Sequence, residues 1–269
     1  MIIGNRDFDT EHRCYIMGIL NVTPDSFSDG GKWDSPERAL RRAGRMVEEG
    51  ADIIDVGGES TRPGHVGIGA QQEIDRTAPV IEALHSNFDV PLSIDTWKGA
   101  VAQAALRAGA HLVNDVWGLK RDPDMAGVIA GAGAACCLAH NRASIDYLDF
   151  MSDLLRDLEE TAALAKGSGI PADRIILDPG IGFAKTHEMN LAAINQLDMV
   201  RRLGYPVLLG ASRKSVVGKA LGLPVNERVE GSLAASVVGI MRGCSFLRVH
   251  DVKETRRTVT MTEAIINSN

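Results

Sequence analysis

Aromatic side chains are scarce in this chain: six Phe, three Trp and three Tyr among 269 residues, 4% of the total. The core must therefore be mostly aliphatic, and any aromatic in a polar setting needs something to pack against. Long apolar runs are absent, and the longest are broken within a few residues, so no membrane span is expected. Basic charge is not in excess. Lys and Arg total 29 against 35 Asp and Glu, a formal net charge of −6. That balance argues against nucleic acid as the main partner, but leaves room for a small anion at a locally basic site. Only four cysteines occur, Cys14, Cys136, Cys137 and Cys244, with no CxxC pair. Each sits in or beside a strand-like run. Small buried hydrophobes in a reducing cytoplasm explain them better than a metal site or disulfides. Met1 to Asp7 carries no basic leader with a long apolar core behind it, so no secretory signal is expected. No linker, low-complexity tract or internal boundary interrupts residues 1–269, which are expected to form one domain.

What is present is a repeated pattern. Eight short apolar runs occur: Tyr15–Leu20, Asp52–Val56, Leu92–Ile94, Leu112–Val113, Ala134–Leu138, Ile175–Leu177, Pro206–Leu209 and Phe246–Val249. They are apolar throughout rather than alternating, as strands buried on both faces are. A helical pattern follows nearly every one. The first helix has Asp34 or Ser35 as cap, Pro36 in its first turn and Gly50 as its stop, with Leu40, Ala43, Met46 and Val47 on one face. The third has Asp95 or Thr96 as cap and a stripe of Val101, Ala104, Ala105 and Ala108. The fifth runs over Leu148–Gly167, with Leu154, Leu155, Leu158 and Ala162 on one side and acids elsewhere. Eight strand–helix units in this length predict a (β/α)8 TIM barrel. An open doubly wound sheet competes, but its glycine-rich phosphate loop after the first strand is missing. Residues 1–13 are expected to form a hairpin closing the barrel bottom, with Asn5-Arg6-Asp7 as its turn.

Most of these runs end in a polar group: Asn21, Asp95, Asn114, Asp178 and His250, with Ser212-Arg213-Lys214-Ser215 after a further run. Each has a plain structural explanation. Asp95 serves equally as a helix cap or a ligand contact. Asn114-Asp115 suits a turn, and Asp178-Pro179-Gly180 is a strong turn signal. On one rim of one barrel they acquire a joint meaning. Two carboxylates and an amide suit a flat heterocycle with an amino-amide edge. A helix start beside Lys214 or Arg213 favours an anion or a carbonyl oxygen. Arg248 and His250 point the same way if strand alternation holds. With Arg62 they make an anion pocket, and Asn21 offers Mg2+ an oxygen. Two strand-to-helix loops, from Asn21 to Gly31 and from Gly57 to Gly69, are unusually long and polar, as covers of an active site are. Phe27 in the first needs a ligand or a neighbouring loop to pack against. His140 ends a strand, where it either lines the pocket or packs.

Together these segments resemble the dihydropteroate synthases, the pterin-binding enzymes of folate biosynthesis. The resemblance runs from about Tyr15 to Thr255. It rests on Gly18 to Gly31, Asp55 to Gly64, Ser93-Ile94-Asp95-Thr96, Asn114-Asp115, Asp178 to Phe183, Ser212-Arg213-Lys214-Ser215 and Arg248-Val249-His250-Asp251. It implies a homodimeric barrel that joins a dihydropterin diphosphate to p-aminobenzoate and releases pyrophosphate. By the same resemblance Asp95, Asn114, Asp178 and Lys214 grip the pterin, and Asp95, Asp178 and Lys214 carry the catalysis. Asn21, Thr61, Arg62, Arg248 and His250 take the diphosphate, Asn21 as the Mg2+ ligand. Phe27, Thr61, Arg62, Phe183 and Ser215 surround the aminobenzoate. One segment departs from the common form: Cys137 to Ala143 stands where many relatives carry a methionine-rich stretch around a histidine. The methyltetrahydrofolate–corrinoid methyltransferases share the pterin-gripping barrel. They have no need of a diphosphate pocket, which Arg62, Lys214, Arg248 and His250 would build. A non-enzymatic pterin-binding relative ranks lower, because every expected polar position is filled.

Overall fold

The apolar runs pair in parallel and curl into a ring. A computed structural model describes residues 1–23, 36–59 and 67–268. After a two-stranded hairpin, β1 (Ile2–Ile3) and β2 (Arg6–Asp7), come eight strands. They are β3 (Tyr15–Asn21), β4 (Ile53–Gly57), β5 (Leu92–Asp95), β6 (Leu112–Asp115), β7 (Ala135–Ala139), β8 (Ile175–Asp178), β9 (Leu208–Leu209) and β10 (Phe246–Val249). Their order in the sheet is β8-β7-β6-β5-β4-β3-β10-β9, all parallel. A parallel bridge from Leu177 to Val207 closes the ring between β8 and β9. This is a (β/α)8 barrel. Several strands run past their apolar stretch to take in the polar residue that ends it, because backbone pairing is indifferent to the side chain.

The helices lie outside the ring. They are α1 (Pro36–Glu48), α2 (Ala70–Asn87), α3 (Gly99–Arg107), α4 (Met125–Ala132), α5 (Phe150–Gly167), α6 (His187–Asn195), α7 (Leu197–Arg201), α8 (Ser215–Leu221), α9 (Val229–Met241) and α10 (Val252–Ile266). One core joins their inner faces to outward strand residues such as Ile16, Ile54, Ile94, Val113, Leu177 and Leu247. A second core lies inside the barrel. It holds Tyr15, Met17, Ile53, Leu112, Cys137, Ile176, Leu208 and Phe246, with Ile3 and Phe8 from the hairpin segment. Phe8 meets Tyr15 edge-on at 4.8 Å and Phe246 at 5.7 Å, so three of the few aromatics plug one end.

Several sequence expectations need correction. The hairpin turn falls at Gly4-Asn5 rather than Asn5-Arg6-Asp7, because Gly4 supplies the positive φ (+62°) and Arg6-Asp7 pair with Ile2-Ile3. The α3 stripe is Val101, Ala102 and Ala105, with Ala102 rather than Ala108 buried. Neither Asp95 nor Thr96 caps α3 at its first turn. Asp122 does, accepting from Gly99 N–H at 2.7 Å, while Thr96 Oγ1 accepts from Lys98 N–H at 3.2 Å. Asp149 caps α5, and Asp153 and Asp157, expected on its wet side, are buried. The proposed caps of α1 lie outside the described residues. All four cysteines are buried and free.

Candidate functional site

Strand geometry makes the barrel interior change character one layer up. Side chains two residues apart share a face. Above Ile53 comes Asp55, above Leu112 Asn114, above Ile176 Asp178, and above Phe246 Arg248, while β5 adds Ser93 and Asp95. An apolar floor therefore carries a polar layer. Arg248 organises it. Its Nε donates to Asp55 Oδ2 and its Nη2 to Asp95 Oδ2, both at 2.6 Å. Asn114 Nδ2 reaches the same Asp55 oxygen at 3.4 Å. Among the described residues, the buried Asp95 Oδ1, Asp55 Oδ1 and Ser93 Oγ have no hydrogen-bond partner. Unpaired buried acceptors are costly, so these are seats for ligand N–H or O–H donors.

Burial pushes the Asp95 carboxyl up to about 7, against the pull of Arg248, and Asp55 and Glu73 add to the rise. Asp178 is also raised by burial, opposed by Lys214 and by the Gly180 N–H on its Oδ1 at 2.7 Å. Asp178 thus performs its turn role with one oxygen and turns the other inward. A side chain at Gly210 would begin 3.8 Å from both Asp178 Oδ2 and Lys214 Nζ, so strand β9's end faces this pair. Burial lowers the Lys214 ammonium to about 8, with Asp178 opposing the shift and Arg248 adding to it. Lys214 donates to Ile181 O at 2.5 Å and stands 4.7 Å from the Phe183 ring centroid. A cleft of about 250 Å³ opens beside this layer, lined by Asp95, Thr96, Trp97, Trp117, Arg142 and Phe183 among others.

Asp95, Asn114, Asp178, Lys214 and Arg248 therefore come together. Asn21 stands at their rim: its register partner is Gly57, whose other partner is Asp95. His250 lies elsewhere on the rim, its Nδ1 3.1 Å from Ser212 Oγ. Arg213 is a brace rather than an anion ligand, since its guanidinium forks onto Asp251. Asn114 and Asp115 divide their tasks: Asp115 accepts from Trp117 and Leu119 N–H. Ser215 opens α8 and is exposed. Phe27, Thr61 and Arg62 lie outside the described residues.

Sequence reasoning missed three buried charges. Asp55 was readable as a charge inside an apolar strand. Lys98 pairs with Glu59 and with Glu73 Oε2, and also donates to Ile68 O at 2.9 Å; nothing local signals this. Lys185 is the third, buried beneath the segment after β8.

The model of the pterin binding enzyme family matches residues 17–250. The dihydropteroate synthase of Clostridium beijerinckii is 53% identical over 99% of both chains. A crystal structure of dihydropteroate synthase from Clostridium difficile, in the presence of pteroic acid, superposes with a TM-score of 0.94. It is 46% identical, covering 97% of this chain and 100% of that one. The Xanthomonas albilineans enzyme in complex with 7,8-dihydropteroate gives 0.89 at 39% identity, over 96% and 95%.

Proposed function

The chain belongs to the pterin-binding enzyme family, and from that premise we infer its reaction, that of a dihydropteroate synthase. It joins (7,8-dihydropterin-6-yl)methyl diphosphate to p-aminobenzoate, giving 7,8-dihydropteroate and pyrophosphate. The observation that carries this reading for the site is the polar layer itself. Asp95 Oδ1 is buried and unpaired beside a cleft, with Asn114, Asp178 and Lys214 around the same barrel mouth. A planar amino-amide edge offers the donors such acceptors lack.

The bond between the exocyclic methylene carbon and the diphosphate oxygen breaks, and its electron pair leaves with pyrophosphate. The amine nitrogen of p-aminobenzoate forms the new bond to that carbon and loses a proton to solvent. Positive charge builds on the pterin as the diphosphate departs. Asp95 and Asp178, as carboxylates on its N–H groups, stabilise that charge. Arg248 favours the ionised form of Asp95, and Lys214 that of Asp178, each opposing the rise that burial causes. Phe183 offers the aminobenzoate an aromatic wall, with Ser215 near it. His250 and Asn21 take the diphosphate in this reading, with Thr61 and Arg62 assigned there from sequence.

A magnesium ion is part of this proposal. Among the described residues no group of three His, Cys, Asp or Glu could hold a metal. One amide oxygen, Asn21, fits an ion that keeps waters and takes phosphate oxygens for its other ligands. When bound, Mg2+ would neutralise charge on the leaving diphosphate. We also propose a cytoplasmic homodimer joined through the late helices. Leu221, Val225, Val238, Met241, Met261 and Ile265 are large exposed hydrophobics concentrated there. No helix among the described residues is long and apolar enough to cross a membrane.

The test is direct. Protein, Mg2+, dihydropterin diphosphate and p-aminobenzoate should yield dihydropteroate and pyrophosphate in equal amounts, and EDTA should suppress both. Absence of pyrophosphate would overturn the reading.

A further inference from the structure

The segment from Gly180 to Ala184 links β8 to α6 and carries Phe183 into the cleft. Its backbone has no sheet or helix to satisfy it. Apart from a turn bond from Phe183 N–H to Gly180 O at 3.1 Å, side chains do so instead. Gly182 N–H donates to Asn190 Oδ1 at 2.6 Å, and Ala184 O accepts from Tyr147 Oη at 3.0 Å. Ile181 O takes Lys214. The two remaining bonded carbonyls, Gly180 O and Phe183 O, both accept from Lys185 Nζ at 3.0 Å. The same ammonium reaches His140 Nδ1 at 2.9 Å and His140 O at 3.4 Å, at the end of β7. Gly180 lies so close to that strand end that a Cβ would collide with His140 O.

His140 must be neutral to accept at Nδ1, so its Nε2–H donates to Asp157 Oδ2 at 3.1 Å. Asp157 in turn is held by Arg142, through Nε at 2.6 Å and Nη2 at 3.1 Å. The chain Lys185–His140–Asp157–Arg142 thus runs from beneath the Phe183 segment to a second wall of the same cleft.

The geometry points to Lys185 as a positioning residue of the transferase site: its ammonium pins the Gly180–Phe183 segment to the β7 end and so fixes Phe183 and Asp178. This rests on the reaction inferred above. Burial lowers the Lys185 ammonium to about 7; Asp178 opposes the shift, Lys214 and Arg142 add to it, and Asp157 opposes it. His140 is lowered to about 3 by burial and by Lys185, so it stays neutral throughout the working range. Tyr147, raised to about 12, does not titrate there either. Deprotonated Lys185 has one N–H fewer for the same acceptors, so the segment loosens as pH rises through about 7.

The experiment compares Lys185→Met with the wild type. The wild type's dihydropteroate formation tests the reaction, and only the variant tests Lys185. The variant should keep its fold by circular dichroism. Its kcat/KM for p-aminobenzoate should fall about tenfold to a hundredfold, the scale of a displaced positioning group. The basic limb of the wild-type pH profile should carry components near 7 and near 8, from Lys185 and Lys214. The variant should lose the first and keep the second. A folded variant within twofold of wild type, or one with an unchanged limb, overturns the assignment. If the variant does not fold, amide exchange in the wild type decides. Protection at Gly182 and Phe183 should drop between pH 6 and 8.5 beyond the intrinsic rate change, and unchanged protection would overturn the assignment.

Discussion

At the residue scale, the site rests on charges that the barrel removes from water. Arg248 lies between two carboxylates, and each retains one unpaired buried oxygen. Arg248 donates to Asp55 as it does to Asp95, which is why Asp55, missed in the sequence, belongs to the machinery. Asp95 gives a prediction with a definite sign. Its folded value near 7 lies above the ordinary 3.8, so the folded chain binds this proton more tightly than the unfolded one. Its contribution to stability is fully present below about 3.8 and is lost as pH rises through 7. Activity should run the other way, because the pterin needs the carboxylate. The expected acid limb of kcat/KM for the pterin substrate has its midpoint near pH 7. Asp95→Asn should abolish that limb and lower turnover at least about a hundredfold while the thermal midpoint holds or rises. Wild-type turnover in the variant, measured by pyrophosphate release, would remove Asp95 from the mechanism.

At the element scale, the (β/α)8 order was legible because each strand is a short apolar run and each helix has a stripe and a stop. Local caps were less legible. Asp95 sits where an N-cap belongs, yet its side chain turns into the barrel. The first turn of α3 begins later, and Asp122 from the following loop caps it. No local rule reaches from residue 122 back to residue 99. Asp122→Ala should therefore cost about 1 kcal/mol, as loss of a cap does. That corresponds to a drop of about 2–4 °C in the thermal midpoint for a chain of this size class, with kcat unaffected. Calorimetry and the turnover assay check the two halves separately. The acids of α5 repeat the lesson. Asp153 and Asp157 read as a solvated face, but Arg142, His140 and the Leu148 N–H lie over them.

At the scale of the whole molecule, the apolar floor and the polar layer above it are one device. The floor, plugged by Phe8, Tyr15 and Phe246, keeps water out from below. Among the described residues, a cleft lined by Asp95, Trp97 and Phe183 opens beside the layer above. The outer surface bears on assembly. Met241 and Met261 are 68% and 62% exposed on the neighbouring helices α9 and α10, which supports the dimer proposed above. Sedimentation should give a dimer, and Met241→Glu with Met261→Glu should shift it toward monomer. A monomeric wild type at micromolar concentration would remove the proposed interface.

Sequence by itself determined the strand–helix count, and with it the barrel. It determined which residues end each strand, and so Asp95, Asn114, Asp178, Lys214 and Arg248 as candidates. Those signals are local: periodicity of two or 3.6, apolar runs, and the residue that breaks each run. Only the tertiary structure decided which charge faces which. Arg248 meets Asp55 and Asp95 across 193 and 153 residues of chain. Lys185 meets His140 across 45. Such pairings arise when the ring closes and a low-dielectric interior forces each buried charge onto a partner, and no spacing along the chain encodes them.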